Sequence, residues 1–224
     1  MRTLLITLFI LITGFVNAQV SVSALAGLNT NNVHRSDSYN DIGGGTGWQA
    51  GLQVAYQLKH WFVYSGAQLD KNVYYVNYYY PSGPAKYTFH PLYLTVPVGA
   101  GYQFALSKKL SVKLFGGVYN SVGISGKTKI TAVICGDFGA CPQNPPSETR
   151  TTKINYGNTN NDDLAKTNAG LQFGAAVRAW KKLELSCAYN VGLANINPKD
   201  YNSKLKINSF AINAKIELVT FGHK

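Results

Sequence analysis

The stretch Thr46-Gly47-Trp48-Gln49-Ala50-Gly51-Leu52-Gln53-Val54-Ala55-Tyr56-Gln57-Leu58 alternates without a break. Trp48, Ala50, Leu52, Val54, Tyr56 and Leu58 fall on one side, and Gly47, Gln49, Gly51, Gln53, Ala55 and Gln57 on the other. Successive side chains of a strand point to opposite faces, so a period of two specifies a β-strand with one greasy and one polar face. The pattern returns in Leu92, Leu94, Val96, Val98, Ala100, Tyr102 and Phe104 against Tyr93, Thr95, Pro97, Gly99, Gly101 and Gln103. It returns again in Ala169, Leu171, Phe173, Ala175 and Val177 against Asn168, Gly170, Gln172, Gly174, Ala176 and Arg178. The polar face names its surroundings. In a water-soluble barrel or sandwich it would meet bulk water and be rich in Lys and Glu, whereas here it is mostly Gln, Asn, Ser and Gly. Such a face is enclosed, and the greasy one is outside.

Working outward from these anchors gives eight strands, at about 19–29, 46–58, 61–72, 87–105, 109–123, 166–179, 183–194 and 204–221. Short turns at Lys59-His60, Leu106 to Lys109 and Trp180 to Lys182 alternate with long linkers at about 30–45, 73–86, 124–165 and 195–203. An even strand count with every second connection short is the arrangement of a transmembrane β-barrel, short turns periplasmic and long loops outside. The strands reach the roughly 9–11 residues that a tilted strand needs to cross a bilayer. In the last strand Leu205 and Ile207 have the opposite parity to Phe210, Ile212, Ala214, Ile216 and Leu218, and a bulge near Ser209 would reconcile them.

The N-terminus reads as a secretory signal: Arg2 is the basic region, Leu4 to Ile12 the apolar core, and Val16-Asn17-Ala18 the cleavage site before Gln19. Residues 19–224 then form one barrel domain. The apolar core is shorter than the roughly 20 residues of a spanning helix, and no later run supplies one. Charged residues make up 14% of the chain, hydrophobic ones 46%. A soluble domain carries about 25% charged residues. The net charge of +11 comes from scattered Lys and Arg without a stripe, which excludes nucleic acid as the partner and points to membrane lipid and lipopolysaccharide. Cys135 and Cys141 share the third linker, where export permits a stiffening disulfide; Cys187 falls on the apolar face.

Interfacial aromatics fit a bilayer, since their rings are apolar and their polar tips are wet. The girdle comprises Trp48, Tyr56, Trp61, Tyr102, Phe104 and Trp180. Tyr74, Tyr75, Tyr78, Tyr79, Tyr80 and Tyr87 crowd the second linker, either stiffening its rim or offering a surface to sugar or peptide. Phe221 stands near the C-terminus, where such barrels address their insertion machinery, but Gly222-His223-Lys224 follow it.

Three places resemble the PorT-like outer-membrane β-barrel domain: Tyr93-Leu94-Thr95-Val96-Pro97, Tyr189 with Gly192-Leu193-Ala194-Asn195-Ile196, and the Ala-Gln cleavage site. Thr95 stands where that family usually has an acidic residue, so a role for that carboxylate does not carry over. The resemblance implies fold and location. An extracellular or secretion-system protein partner stays open.

Chemistry is sparse. His34-Arg35-Ser36-Asp37 offers the residue types of a lipid-modifying barrel enzyme, though adjacent positions make no triad. Asn160-Asn161-Asp162-Asp163 offers oxygen ligands without the spacing of a calcium loop. No catalytic set, metal site or cofactor is expected. With apolar faces toward lipid, Lys113, Arg178, Glu184, Lys215 and Glu217 all point inward near the periplasmic end, joined by Gln57 and Gln103. The interior of an eight-stranded barrel is just wide enough for side chains to fill, so these residues should plug it. The expectation is a monomeric, non-enzymatic surface barrel with its function in the loops; the alternatives are a small gated channel and a lipid A-modifying enzyme.

Overall fold

A computed structural model describes residues 19–35, 41–80, 83–107, 110–133, 146–159, 161–179, 182–198 and 204–222. The proposed signal, Cys135, Cys141, Asn160, Trp180, Ser36 and Asp37 lie outside them. The described strands, in chain order, are β1 (Gln19–Arg35), β2 (Asp41–Gly44), β3 (Thr46–Leu58), β4 (Trp61–Lys71), β5 (Tyr74–Tyr80), β6 (Gly83–Ala105), β7 (Leu110–Val133), β8 (Ser147–Lys153), β9 (Thr167–Ala179), β10 (Leu183–Gly192) and β11 (Leu205–Phe221).

Eight of them close a ring. The order β6-β4-β3-β1-β11-β10-β9-β7 is completed by pairing of β6 with β7, all antiparallel. Alternation sets the register everywhere, because a slip of one residue would carry each apolar side chain into the lumen. The outer wall is greasy throughout: Leu28, Leu52, Val63, Val98, Leu114 and Ile212 are each more than half exposed. A patch of that extent is stable only against lipid.

Two corrections follow. The long linkers carry strands of their own: β5 pairs with the upper part of β6, β8 with the upper part of β7, and β2 with β5. β6 and β7 run 23 and 24 residues, about twice what a bilayer crossing requires, so their upper halves stand outside the membrane. Nor is there a bulge near Ser209, where β10 and β11 pair continuously. Leu205 and Ile207 simply point inward, 5% and 3% exposed, into an apolar cluster above the membrane, whereas Phe210 and Ile212 face lipid. The irregularity on β11 sits at Leu218, where Val22 pairs with Val219 and Ser23 with Glu217. A second bulge interrupts β6–β7, with Ile124 and Ser125 set against Leu92.

Candidate functional site

The lumen has three levels. Near the periplasmic end the register puts Glu184 on β10 directly between Arg178 on β9 and Lys215 on β11. Glu184 Oε2 accepts from Lys113 Nζ at 2.7 Å, and Oε1 from Lys215 Nζ at 3.2 Å. Arg178 reaches Glu217 at 2.9 Å and Glu184 at 3.8 Å. All five charges expected inside are thus one network of three cations and two anions. Gln57 and Gln103 bond to one another, Nε2 to Oε1 at 2.9 Å, at the mouth below.

Above the charges Phe62, Tyr64 and Phe115 lie over glycines on neighbouring strands, Gly101, Gly99 and Gly174. Tyr64 Oη donates to Gln172 at 2.9 Å, Gln172 to Asn190 at 3.0 Å, and Asn190 to Ser209 at 3.0 Å, a chain of amides across the barrel. Among the described side chains of the lumen lie two cavities of about 30 and 20 Å³. Since a water needs about 10–15 Å³ of such volume, the first has room for about two or three waters, the second for about one or two, and neither is a pore.

The third level is extracellular. Val33, Tyr74, Ile154, Leu164, Ile196, Leu205 and Ile207 form an apolar floor, with Tyr74 and Ile196 fully buried. Loop residues reach it because backbone bonds tie Ala165 N to Ile196 O at 2.8 Å and Ile196 N to Leu205 O at 2.9 Å. Asn195 Oδ1 anchors the same turn by accepting from Asn197 N and Leu205 N. On the floor stands an open cup of about 440 Å³. One wall is aromatic: Tyr78 stacks with Tyr80 at 6.0 Å and meets Tyr87 edge-on at 5.1 Å. Opposite are Asn161, Asp162, Asp163 and Asn197.

The carboxylates of that wall also shape their loop. Asp162 Oδ2 accepts from Thr159 N and Oγ1, at 2.8 and 2.6 Å, which holds its carboxyl below the ordinary range. Asp163 Oδ2 accepts from Asn155 N at 2.8 Å. No metal-holding group of His, Cys, Asp or Glu occurs among the described residues. Two of the residues around the cup, Tyr74 and Thr128, carry hydroxyls that are fully buried and without a hydrogen-bond partner. Sequence reasoning found the tyrosines but missed Thr128, Leu164 and Leu205. The one legible signal was apolar residues, Ile154, Leu164 and Ile196, inside otherwise polar loops.

A family model described as outer membrane protein beta-barrel domain matches residues 16–197. The chain belongs to that outer-membrane β-barrel family. It is an integral outer-membrane protein. Among curated proteins none matches its sequence. Of solved structures, the Neisserial surface protein A is 13% identical with a TM-score of 0.42, covering 89% of this chain and 99% of that one. The attachment invasion locus protein of Yersinia pestis is 14% identical with a TM-score of 0.45, covering 90% and 99%. The N-terminal β-barrel domain of Pseudomonas aeruginosa OprF is 9% identical with a TM-score of 0.31, covering 88% and 98%.

In this outer-membrane barrel the girdle residues divide between two ends. Tyr102 on the lipid face packs against Trp61 at 5.0 Å and Phe104 at 4.7 Å, near the periplasmic turn at Lys59-His60, and Tyr56 lies on β3 beside them, opposite Val63. Trp48 belongs to the other end, paired with Leu28 and Lys71. Missed from the sequence were Phe173, Tyr189 and Phe210, cross-strand neighbours on the lipid face. Cys187 is a free thiol on that face. His34 stands on β1 opposite Lys206.

Proposed function

We propose that this is a non-enzymatic outer-membrane surface protein whose lumen is a structural plug and whose extracellular cup binds carbohydrate. The observation that carries the reading is the lining of the cup: Tyr78, Tyr80 and Tyr87 form one wall and Asn161, Asp162, Asp163 and Asn197 the other, around about 440 Å³ of open space. Aromatic faces for the apolar side of a sugar ring, with amides and carboxylates for its hydroxyls, make a complementary lining.

Within the family we place the chain nearest the PorT-like members. The quoted motifs have structural work to do: Tyr93 is 1% exposed, Ile196 is in the floor, and Asn195 ties the loop to β11. The reading takes Met1–Ala18 as a cleaved signal, residues 19–224 as the barrel, and the protein as a monomer. Glycan-array binding of the refolded barrel tests the cup. Wild type is expected to bind a defined set of glycans, with about a tenfold loss for Tyr78→Ala, the scale of one aromatic contact. An array on which wild type binds nothing, or Tyr78→Ala binds equally, overturns the proposal.

A further inference from the structure

The bulge at Ile124 and Ser125 has a consequence for charge. Below it β7 turns its even residues to lipid, among them Leu114, Val118 and Val122; above it Thr128 and Ile130 face the cup and the odd residues face out. Lys127 and Lys129 are thereby carried from the lumen side to the outer wall, at the height where the apolar belt ends. There Lys127 stands directly opposite Lys153 on β8 and, on its other side, opposite His90 on β6. Lys129 stands between Thr88 and Thr151. Like charges directly opposite on paired strands repel, yet no carboxylate answers them: the ion pairs among the described residues all lie in the lumen network. The His90 imidazole is held below its ordinary pKa by partial burial and then by the charge of Lys71 and Lys129, a sign of how cationic this wall is.

We propose that Lys127, Lys129 and Lys153, with the hydroxyls of Thr88 and Thr151, form a site on the outer wall for the phosphate groups of glycolipid in the outer leaflet. Three features fit that occupant. The row borders the lipid-facing belt, Ile124 being half exposed just below it, so a headgroup whose acyl chains lie along the belt would reach it. The site's three lysines are exposed on the wall, within reach of a ligand anchored in the adjoining leaflet. Its unmatched positive charge asks for a multiply charged anion, and ammonium groups flanked by hydroxyls are phosphate donors.

The test is native mass spectrometry of the refolded barrel with bisphosphorylated lipid A, with dephosphorylated lipid A, and with inorganic phosphate as competitor. Wild type is expected to retain the phosphorylated lipid, to release it when the phosphates are removed, and to keep it against millimolar phosphate. The variant K127Q/K129Q/K153Q should bind about two orders of magnitude more weakly, the sum for three cations beside a charged bilayer surface. K59Q/K182Q, at the turns of the opposite end of the barrel, should bind as wild type. Equal retention by the triple variant, equal retention of dephosphorylated lipid, or displacement by free phosphate would each overturn the site. The dephosphorylated-lipid comparison needs no variant, so a folding failure of the triple mutant leaves the test intact.

Discussion

Replacing Glu184 by Gln removes the hub of the lumen network while keeping its shape. The carboxylate binds Lys113 at 2.7 Å and Lys215 at 3.2 Å, with Arg178 at 3.8 Å, and its side chain is 8% exposed. At these separations the attractions are about 4–6 kcal/mol each for an effective dielectric of about 20. In wild type the five groups sum to +1; in Glu184→Gln they sum to +2, with Lys113 still 7% exposed. The adjoining cavity of about 30 Å³ cannot hydrate that excess. Breaking a buried pair from one side costs about 3–5 kcal/mol, and that is the expected loss in urea unfolding from lipid vesicles followed by tryptophan fluorescence. Adding Lys113→Met restores the sum to +1 and should recover about half of the loss or more, because a matched apolar replacement of a buried pair is often neutral. A Glu184→Gln protein within about 1 kcal/mol of wild type would refute the reasoning, since the network would then behave as solvated surface charge.

Planar-bilayer recordings of the wild-type protein should show no steady large current, as the lumen cavities have room for only a few waters; sustained conductance would mean that the plug moves. Gly99→Val should destabilise the barrel by about 1–3 kcal/mol, the usual cost of overpacking, because a Cβ there would lie 2.6 Å from both the Tyr64 ring and the Gly116 carbonyl. Matched unfolding curves for wild type and variant measure it, and an unchanged midpoint would contradict the ring-on-glycine packing. N-terminal sequencing of protein purified from outer membranes should begin at Gln19; a start elsewhere would move the domain boundary.

The ring was legible because lipid outside and amides inside give every strand a sharp contrast at period two. The strands of the extracellular tier escaped for the opposite reason. In Tyr74–Tyr80 both faces are largely tyrosine, so Tyr74, fully buried, and Tyr79, at 72% exposed, carry the same letter. Ser147–Lys153 is polar on both faces, and Asp41–Gly44 is too short to show a period. The charged lumen cluster could be read off parity alone, as each member lies on an amphipathic strand. The cup could not: Tyr74, Leu164 and Leu205 come from distant parts of the chain, and an orphan hydroxyl exists only once its neighbours are in place.

The misreading of Leu205 and Ile207 exposes how the molecule meets two solvents with one set of strands. Inside the membrane the apolar residue of each pair faces out, as with Leu28 on β1, Leu94 on β6 and Ile212 on β11; above it the apolar residue faces in, as with Val33, Phe89 and Ile207. On these three strands the backbone stays regular through the crossing and the sequence changes the parity of its apolar residues. On β7 the sequence keeps apolar residues at even positions, Val122, Ile124 and Ile130, and the backbone changes instead, through the bulge. Both devices meet one demand, that the low-dielectric side of the wall exchanges faces where lipid gives way to water. A change of hydrophobic parity along a barrel strand therefore marks the bilayer boundary, and a bulge is needed only on a strand whose pattern does not change.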